Sequence, residues 1–309
     1  MAQQTAATSP LRLPRREAAR LDDAWRPKRF AAFRAVVRDR SAVFGLVILT
    51  GVTLMALAAN LIAPYDPTAL DPTSNLAGSS REHWLGTDNL GRDIFSRLVH
   101  GARWTLGAAG LAAAGIVILG VTIGIVAGYA GGLLDDLLMR VVDVLLAFPS
   151  MILALAVVGM LGPSLTNVLI GMVAVWWVDY ARVVRGLTLR VVQNDYVLSA
   201  HCCGCGRRRM ILRHILPNVI PSVIVLATLE LGALMLAISG LSFLGLGAQP
   251  PTPEWGTMLS DGRLFFLNAP QLMMYPGVAI TFVVLGCNLL GDGLRDALDP
   301  RQRDGARSS

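Results

Sequence analysis

Six long apolar stretches constrain this chain more than any other feature, at about 43–63, 105–128, 142–162, 166–181, 219–247 and 273–291. Most approach the roughly 20 residues that a helix needs to cross a hydrocarbon core about 30 Å thick. In lipid a backbone amide finds no water, so a spanning segment must satisfy its hydrogen bonds internally, as a helix does. The average points the same way: of 309 residues, 54% are hydrophobic and 16% charged, with a mean hydropathy of +0.55. The expected fold class is all-α, a polytopic membrane protein with six transmembrane helices. The fourth stretch is short, and its Trp176, Trp177 and Tyr180 suit an interfacial belt.

Charge sets the orientation. With both termini placed in the cytoplasm, 22 of the 27 Lys and Arg residues fall on that side, in 1–42, at Arg140, in 182–213 and in 295–307. That asymmetry is the positive-inside pattern of an inner-membrane protein. It accounts for the net charge of +6 through contact with anionic lipid headgroups, and no nucleic-acid partner is needed. The four cysteines are too few for a disulfide framework, and Cys202, Cys203 and Cys205 lie on the side where thiols stay reduced. No cleavable signal is expected, since the first long apolar run follows 40 polar, arginine-rich residues.

The chain divides into a cytoplasmic tail with an interfacial helix (1–42), a first span with a large outer segment (43–104), a core (105–291) and a second tail (292–309). Residues 1–28 read as disordered, and 29–41 alternate apolar residues with arginine at helical spacing. In the outer segment, Gly86 and Gly91 among Asp88, Asn89 and Asp93 predict tight turns, then a short helix from Asp93. That segment is either a surface for a binding protein or a structural plug. The second span carries Gly107, Gly110, Gly115, Gly120, Gly124 and Gly128, spaced for close helix contact in lipid. The stretch AGGLLDDLLMRVVD reads as a cytoplasmic turn with an Arg140–Asp143 pair, and Phe148-Pro149 should kink the third span.

Between the fourth and fifth spans lies a polar, basic segment, 195–218, reading DYVLSAHCCGCGRRRMILRHILPN. Tyr196, Val197, Ala200 and Cys203 fall at helical spacing, Gly204 and Gly206 interrupt, and Met210, Ile211 and Ile215 resume up to Leu216-Pro217, where proline should end the helix. Two short helices bent at glycine would form a knob that buries little on its own chain and needs a partner. Cys202, Cys205, His201 and His214 there offer the ligand chemistry of a zinc site, but with a single Cys-x-x-Cys pair; small thiols packing between helices are the plainer reading, and no metal is assigned.

Deep in the fifth span sits Glu230, which must face protein or a wet cavity. It either lines a path that favours a cationic or amine-bearing solute or packs by hydrogen bonding, shared with Asn288 of the sixth span. No nucleophile–base set or cofactor loop is legible, so no enzymatic role is expected. A phosphate-binding loop needs a lysine after a glycine-rich turn; the single lysine, Lys28, stands in Trp-Arg-Pro-Lys-Arg. If ATP drives this protein, another subunit hydrolyses it.

The 195–218 segment resembles the EAA loop of ABC-importer permeases, whose pattern runs Glu-Ala-Ala, three residues, Gly, nine residues, Ile-x-Leu-Pro. Leu198-Ser199-Ala200 stands at the first position, Gly204 at the glycine and Leu216-Pro217 at the end; Leu198 replaces the glutamate and His214 the isoleucine. The strings HWLGTDNLGRDIFSRLVHGARWTL, SGLSFLGLGAQPPTPEWGTML and GDGLRDALDP are similar to those of the dipeptide/oligopeptide/nickel permeases. The resemblance implies a second-permease (C-type) subunit that pairs with another permease chain, two ATP-binding subunits carrying the ATP and Mg, and an extracytoplasmic binding protein. It implies that Tyr196, Val197, Ser199, Ala200, Gly204, Arg208, Leu216 and Pro217 couple to the ATPase. Di- or oligopeptides are the expected substrate, with nickel or a metal chelate, or a glutathione-like solute, as alternatives. A proton-coupled carrier is the rival of another class; it would explain Glu230 without partners, but such carriers usually show internal repeats and none is legible in the six spans.

Overall fold

In the computed structural model, residue 37 and residues 39–298 are described. The tail 1–28 and nearly all of the surface helix expected at 29–41 lie outside them. The first described helix, α1 (Arg40–Leu57), starts where Asp39 Oδ1 accepts the amides of Ser41 at 2.8 Å and Ala42 at 3.4 Å. A one-turn helix, α2 (Ala59–Ile62), completes this span before Pro64.

The short helix expected from Asp93 does not stop. Asp93 Oδ2 accepts the Ser96 amide at 2.7 Å, and the helix it caps, α3 (Ile94–Ala130), runs 37 residues. No proline interrupts this stretch, and at 1.5 Å per residue it is about 55 Å long. It ends at Gly131 and Gly132, whose φ angles of +64° and +57° only glycine adopts readily.

The expected cytoplasmic turn is instead a helix, α4 (Gly132–Leu146), and Arg140 is not the partner of Asp143. Asp143 pairs with Arg182 on the neighbouring helix, and Asp135 takes Arg185 in a two-pronged pair at 2.5 and 2.6 Å. At Ala147-Phe148-Pro149 the chain turns by 88° into α5 (Ser150–Leu161). The kink expected there is therefore a corner, because Pro149 offers no amide to the preceding turn. At 12 residues, α5 spans about 18 Å and does not cross a bilayer alone.

Helix α6 (Leu165–Val192) continues eleven residues past the predicted end at 181. The charges that ended the prediction are satisfied sideways by α4, so the helix need not stop for them. Trp176, Trp177 and Tyr180 consequently lie near its middle, and Tyr180 is buried. Tyr180, packed inside the bundle, is therefore not part of the interfacial belt expected. The knob follows: α7 (Asp195–Cys202), α8 (Arg207–Met210), a π-helical turn (Ile211–Ile215) and α9 (Leu216–Phe243). Beyond α9 come α10 (Trp255–Gly262), a 3-10 turn (Arg263–Phe265) and α11 (Gln271–Leu298).

Among the described residues there is no β-strand, and five helices are long and apolar enough to cross a membrane, six if the bent α4–α5 pair is one span. The most extensive helix pair is α3 with α6. Gly120, Gly124 and Gly128 form the contact stripe, against Tyr180, Val184 and Thr188; a Cβ on Gly124 would sit 2.6 Å from the Ala181 carbonyl oxygen. Gly107 and Gly110, expected in the same stripe, have no neighbour at that distance. Helix α11 lies between α1 and α9, with Gly45 facing Gly286.

Candidate functional site

At one end of the bundle the knob is built around a glycine. Helix α7 closes when Gly204, at φ +77°, donates to the His201 carbonyl at 2.9 Å and Cys205 donates to Ala200 at 3.1 Å. These are the two bonds of a Schellman cap, and Ala200 and Cys205 supply its apolar contact by packing on the main core. Cys205 is thereby a packing residue. His214 is held against Tyr196, with ring centroids 6.5 Å apart. Among the described residues no group of three or more His, Cys, Asp and Glu is placed to hold a metal.

Pro217 does not end its helix. The backbone widens first: the Leu216 amide reaches back five residues to the Ile211 carbonyl. A π-turn of this kind takes up one extra residue and relieves the clash between a proline ring and the preceding turn. Asn218 Nδ2 then caps the His214 carbonyl at 2.6 Å. The result is one apolar helix from Arg207 to Phe243, 37 residues, running from the knob across the bundle.

The knob also buries more against its own chain than its sequence suggests. Val197, Met210 and Ile215 belong to the main core, and Ala200 and Leu216 are half-buried. Of the eight predicted coupling residues, Tyr196, Ser199, Gly204, Arg208 and Pro217 face outward. Beside them stand Leu198 and Leu212, 51% and 52% exposed, and the guanidinium groups of Arg207, Arg209 and Arg213.

Further along the same helix, Glu230 is half-buried and stands near the Tyr180 side chain of α6. Asp179 stands close enough to act electrostatically on both. Asp179 escaped the sequence reading because the fourth span was ended at 181, which set it at a boundary. Asn288 is not brought to Glu230. It is exposed on α11 and abuts Gly232, which lies about 200° around α9 from Glu230.

At the opposite end, a collar ties the helices together. Glu254 is fully buried and accepts from the Gly256 and Thr257 amides at 3.0 and 2.9 Å and from Thr105 Oγ1 of α3 at 3.1 Å. Trp255 Nε1 donates to the Leu98 carbonyl at 2.9 Å, and its ring lies on Gly101. Asp88 pairs with Arg92 at 2.6 Å, and Arg92 and Arg97 both lean toward Asp261, at 3.6 and 3.7 Å. Burial pushes the Asp261 carboxyl above its ordinary range, while Arg97 and Arg92 draw it back. The expected turns are present, with Gly86 and Gly91 at positive φ and Asp88 Oδ1 accepting Leu90 and Arg92 amides at 2.8 and 3.0 Å. These buried pairs match the packing-plug reading of 65–104. The burial of Glu254 was not foreseen; the signal available was an acid directly before Trp-Gly in a proline-rich loop, the place of a helix N-cap.

The comparisons agree with this geometry. Residues 120–304 match the model of the binding-protein-dependent transport system inner membrane component. Residues 28–78 match the N-terminal transmembrane domain of oligopeptide transport permease C. The dipeptide transport system permease protein of Alkalihalophilus pseudofirmus is 45% identical over 272 residues, 88% of this chain and 90% of that one. The nickel transport system permease protein of Escherichia coli K12 is 44% identical over 260 residues, 84% and 94% of the two chains. The glutathione transport system permease protein of Pectobacterium atrosepticum is 40% identical over 296 residues, 90% and 98%. On the strength of a model match over most of its core and of relatives aligned along nearly their full length, this chain belongs to the family of binding-protein-dependent transport system inner membrane components.

Proposed function

We propose that the chain is the C-type membrane subunit of an ATP-binding-cassette importer. In this reading it pairs with a second permease chain in a bacterial inner membrane, has both termini in the cytoplasm, and receives di- or oligopeptides from an extracytoplasmic binding protein. Two separate ATPase subunits bind the ATP and Mg, and the knob at 195–218 docks on one of them. The observation that carries the reading is that the second half of that knob, from Arg207, continues without a break into the 37-residue helix holding Glu230. Closure of the ATPases would pull on Tyr196, Ser199, Ala200, Gly204, Arg208, Leu216 and Pro217. It would rock α6 and α9 against each other and change the exposure of the path between them. Val197, buried in the core, would carry the pull into the bundle.

Within the bundle, Glu230 with Asp179 would line this path with carboxyl groups, suited to the ammonium end of a peptide. The same carboxylates favour nickel or a nickel chelate as the second reading, and relatives named for each are nearly equal in identity. Uptake of labelled dipeptide and of nickel in a strain lacking this gene, with and without the gene restored, separates them. Restored dipeptide uptake alone is expected; restored nickel uptake alone would replace peptide by nickel. Glu230→Gln should keep the Tyr180 contact yet lower uptake severalfold, with the ATPases still bound. Unchanged uptake would remove Glu230 from the path.

A further inference from the structure

The charge of the knob is one-sided. Across 195–218 there is one aspartate, Asp195, against Arg207, Arg208, Arg209 and Arg213. All four arginines are exposed, and among the described residues none of their guanidinium groups is ion-paired or hydrogen-bonded. At the position where the EAA pattern has its glutamate, this chain presents Leu198, half-exposed and apolar. The knob therefore shows its partner arginine and aliphatic surface, with no carboxylate in the middle of α7.

Two partners could answer four arginines: anionic headgroups or an acidic protein surface. Geometry decides between them. The apolar run of α9 begins at Val219, so Arg207, Arg208 and Arg209 lie ten to twelve residues before it on one continuous helix. That places their backbones about 15–18 Å from the hydrocarbon edge. The headgroup layer is about 5–8 Å deep, and exposed charges are screened over about 8 Å. Helical side chains also lean toward the N-terminus of their helix, which here points away from the bilayer. Arg213 is within reach of lipid; the other three are directed past it. Leu212 shares a surface with them, and the same knob exposes Tyr196 and Leu198; tyrosine and arginine anchors are enriched in protein interfaces.

We propose, resting on the coupling reading above, that the ATPase surface receiving this knob presents carboxylates to Arg207, Arg208 and Arg209 and an apolar floor to Leu198. The test uses the assembled permease pair in nanodiscs with its own ATPase subunits, and measures ATPase retention across a salt series. Retention is expected to fall as salt rises. The triple variant Arg207→Glu/Arg208→Glu/Arg209→Glu should weaken it at least about tenfold, because like charges then face each other. Replacing the same three by lysine should largely preserve retention, and reversing carboxylates in the ATPase groove should partly restore the glutamate variant. The lipid alternative is read in the same assay: an effect that appears only in anionic nanodiscs and not in zwitterionic ones overturns the proposal. So does a glutamate variant that keeps wild-type retention and salt dependence, provided Gly204→Val still uncouples; the coupling reading then survives alone. If the wild-type permease pair retains no ATPase under any condition, both fall.

Discussion

Glu254→Ala is expected to give the largest loss of stability of any single change in this chain. The carboxylate is wholly buried and is met by the Gly256 amide at 3.0 Å, the Thr257 amide at 2.9 Å and the Thr105 hydroxyl at 3.1 Å. The Thr257 hydroxyl, 3.2 Å away, is turned mainly to the Ala248 carbonyl at 2.8 Å. Alanine leaves these donors facing a cavity, at about 1–3 kcal/mol for each unsatisfied group. It also removes the N-cap of α10. The total is about 3–5 kcal/mol, the range seen when one partner of a buried charged network is deleted. Thr105 additionally accepts the Trp255 amide at 3.1 Å, so its tie between α3 and α10 loosens as well. The expected outcome is a thermal midpoint lowered by many degrees for the purified permease pair, with much of the protein lost to aggregation on solubilisation. Glu254→Gln keeps one acceptor oxygen but turns an NH2 toward backbone N–H groups, and should fall between. A midpoint for the alanine variant within a degree of wild type would show that the collar is not held by this residue.

Gly204→Val should produce the largest functional loss with the fold retained. A Cβ at Gly204 meets nothing within 4 Å, so packing does not forbid a side chain. The obstacle is the backbone: φ is +77°, and a left-handed residue with a Cβ costs about 1–2 kcal/mol, more with β-branching. That cost falls on the two hydrogen bonds that close α7 and aim it. Since 1.4 kcal/mol is a factor of ten in an equilibrium, the properly shaped knob should become at least about tenfold rarer. Solute moved per ATP hydrolysed should drop accordingly, while insertion and the bundle core are untouched. Gly204→Asn, which tolerates this conformation, should stay near wild type. Equal transport efficiency in the valine and asparagine variants would contradict this role for the glycine.

The two variants act at opposite ends of the bundle, and the sequence spoke unequally about those ends. The spans were legible because apolar length has few outcomes in lipid, and the α3 stripe was legible because Gly120, Gly124 and Gly128 recur every four residues. Boundaries failed where charge was taken as a stop signal. Asp179, Arg182 and Arg185 lie inside α6 because α4 brings Asp143 and Asp135 to the two arginines, a pairing 39 and 50 residues apart in sequence. Pro217 was misread for a related reason: the extra residue of the π-turn at Ile211–Ile215 is a backbone adjustment with no residue signature. In the candidate site, Gly204 and the exposed Tyr196 and Arg208 were legible from spacing and resemblance. The burial of Val197 was not, since it depends on where the knob lies on the bundle. The burial of Glu254 was not legible for the same reason, its partner Thr105 being 149 residues away, although its place as a helix N-cap could be read.

The most direct measurement is solute uptake into sealed vesicles holding the purified permease pair, with and without the ATPase subunits, in the presence of binding protein and lumen-accessible ATP. Uptake that requires both the ATPases and hydrolysable ATP, and that collapses in Gly204→Val, is the predicted result. Concentrative uptake by the permease chains alone, driven by a proton gradient and indifferent to nucleotide, would contradict the claim that this knob receives work from another subunit.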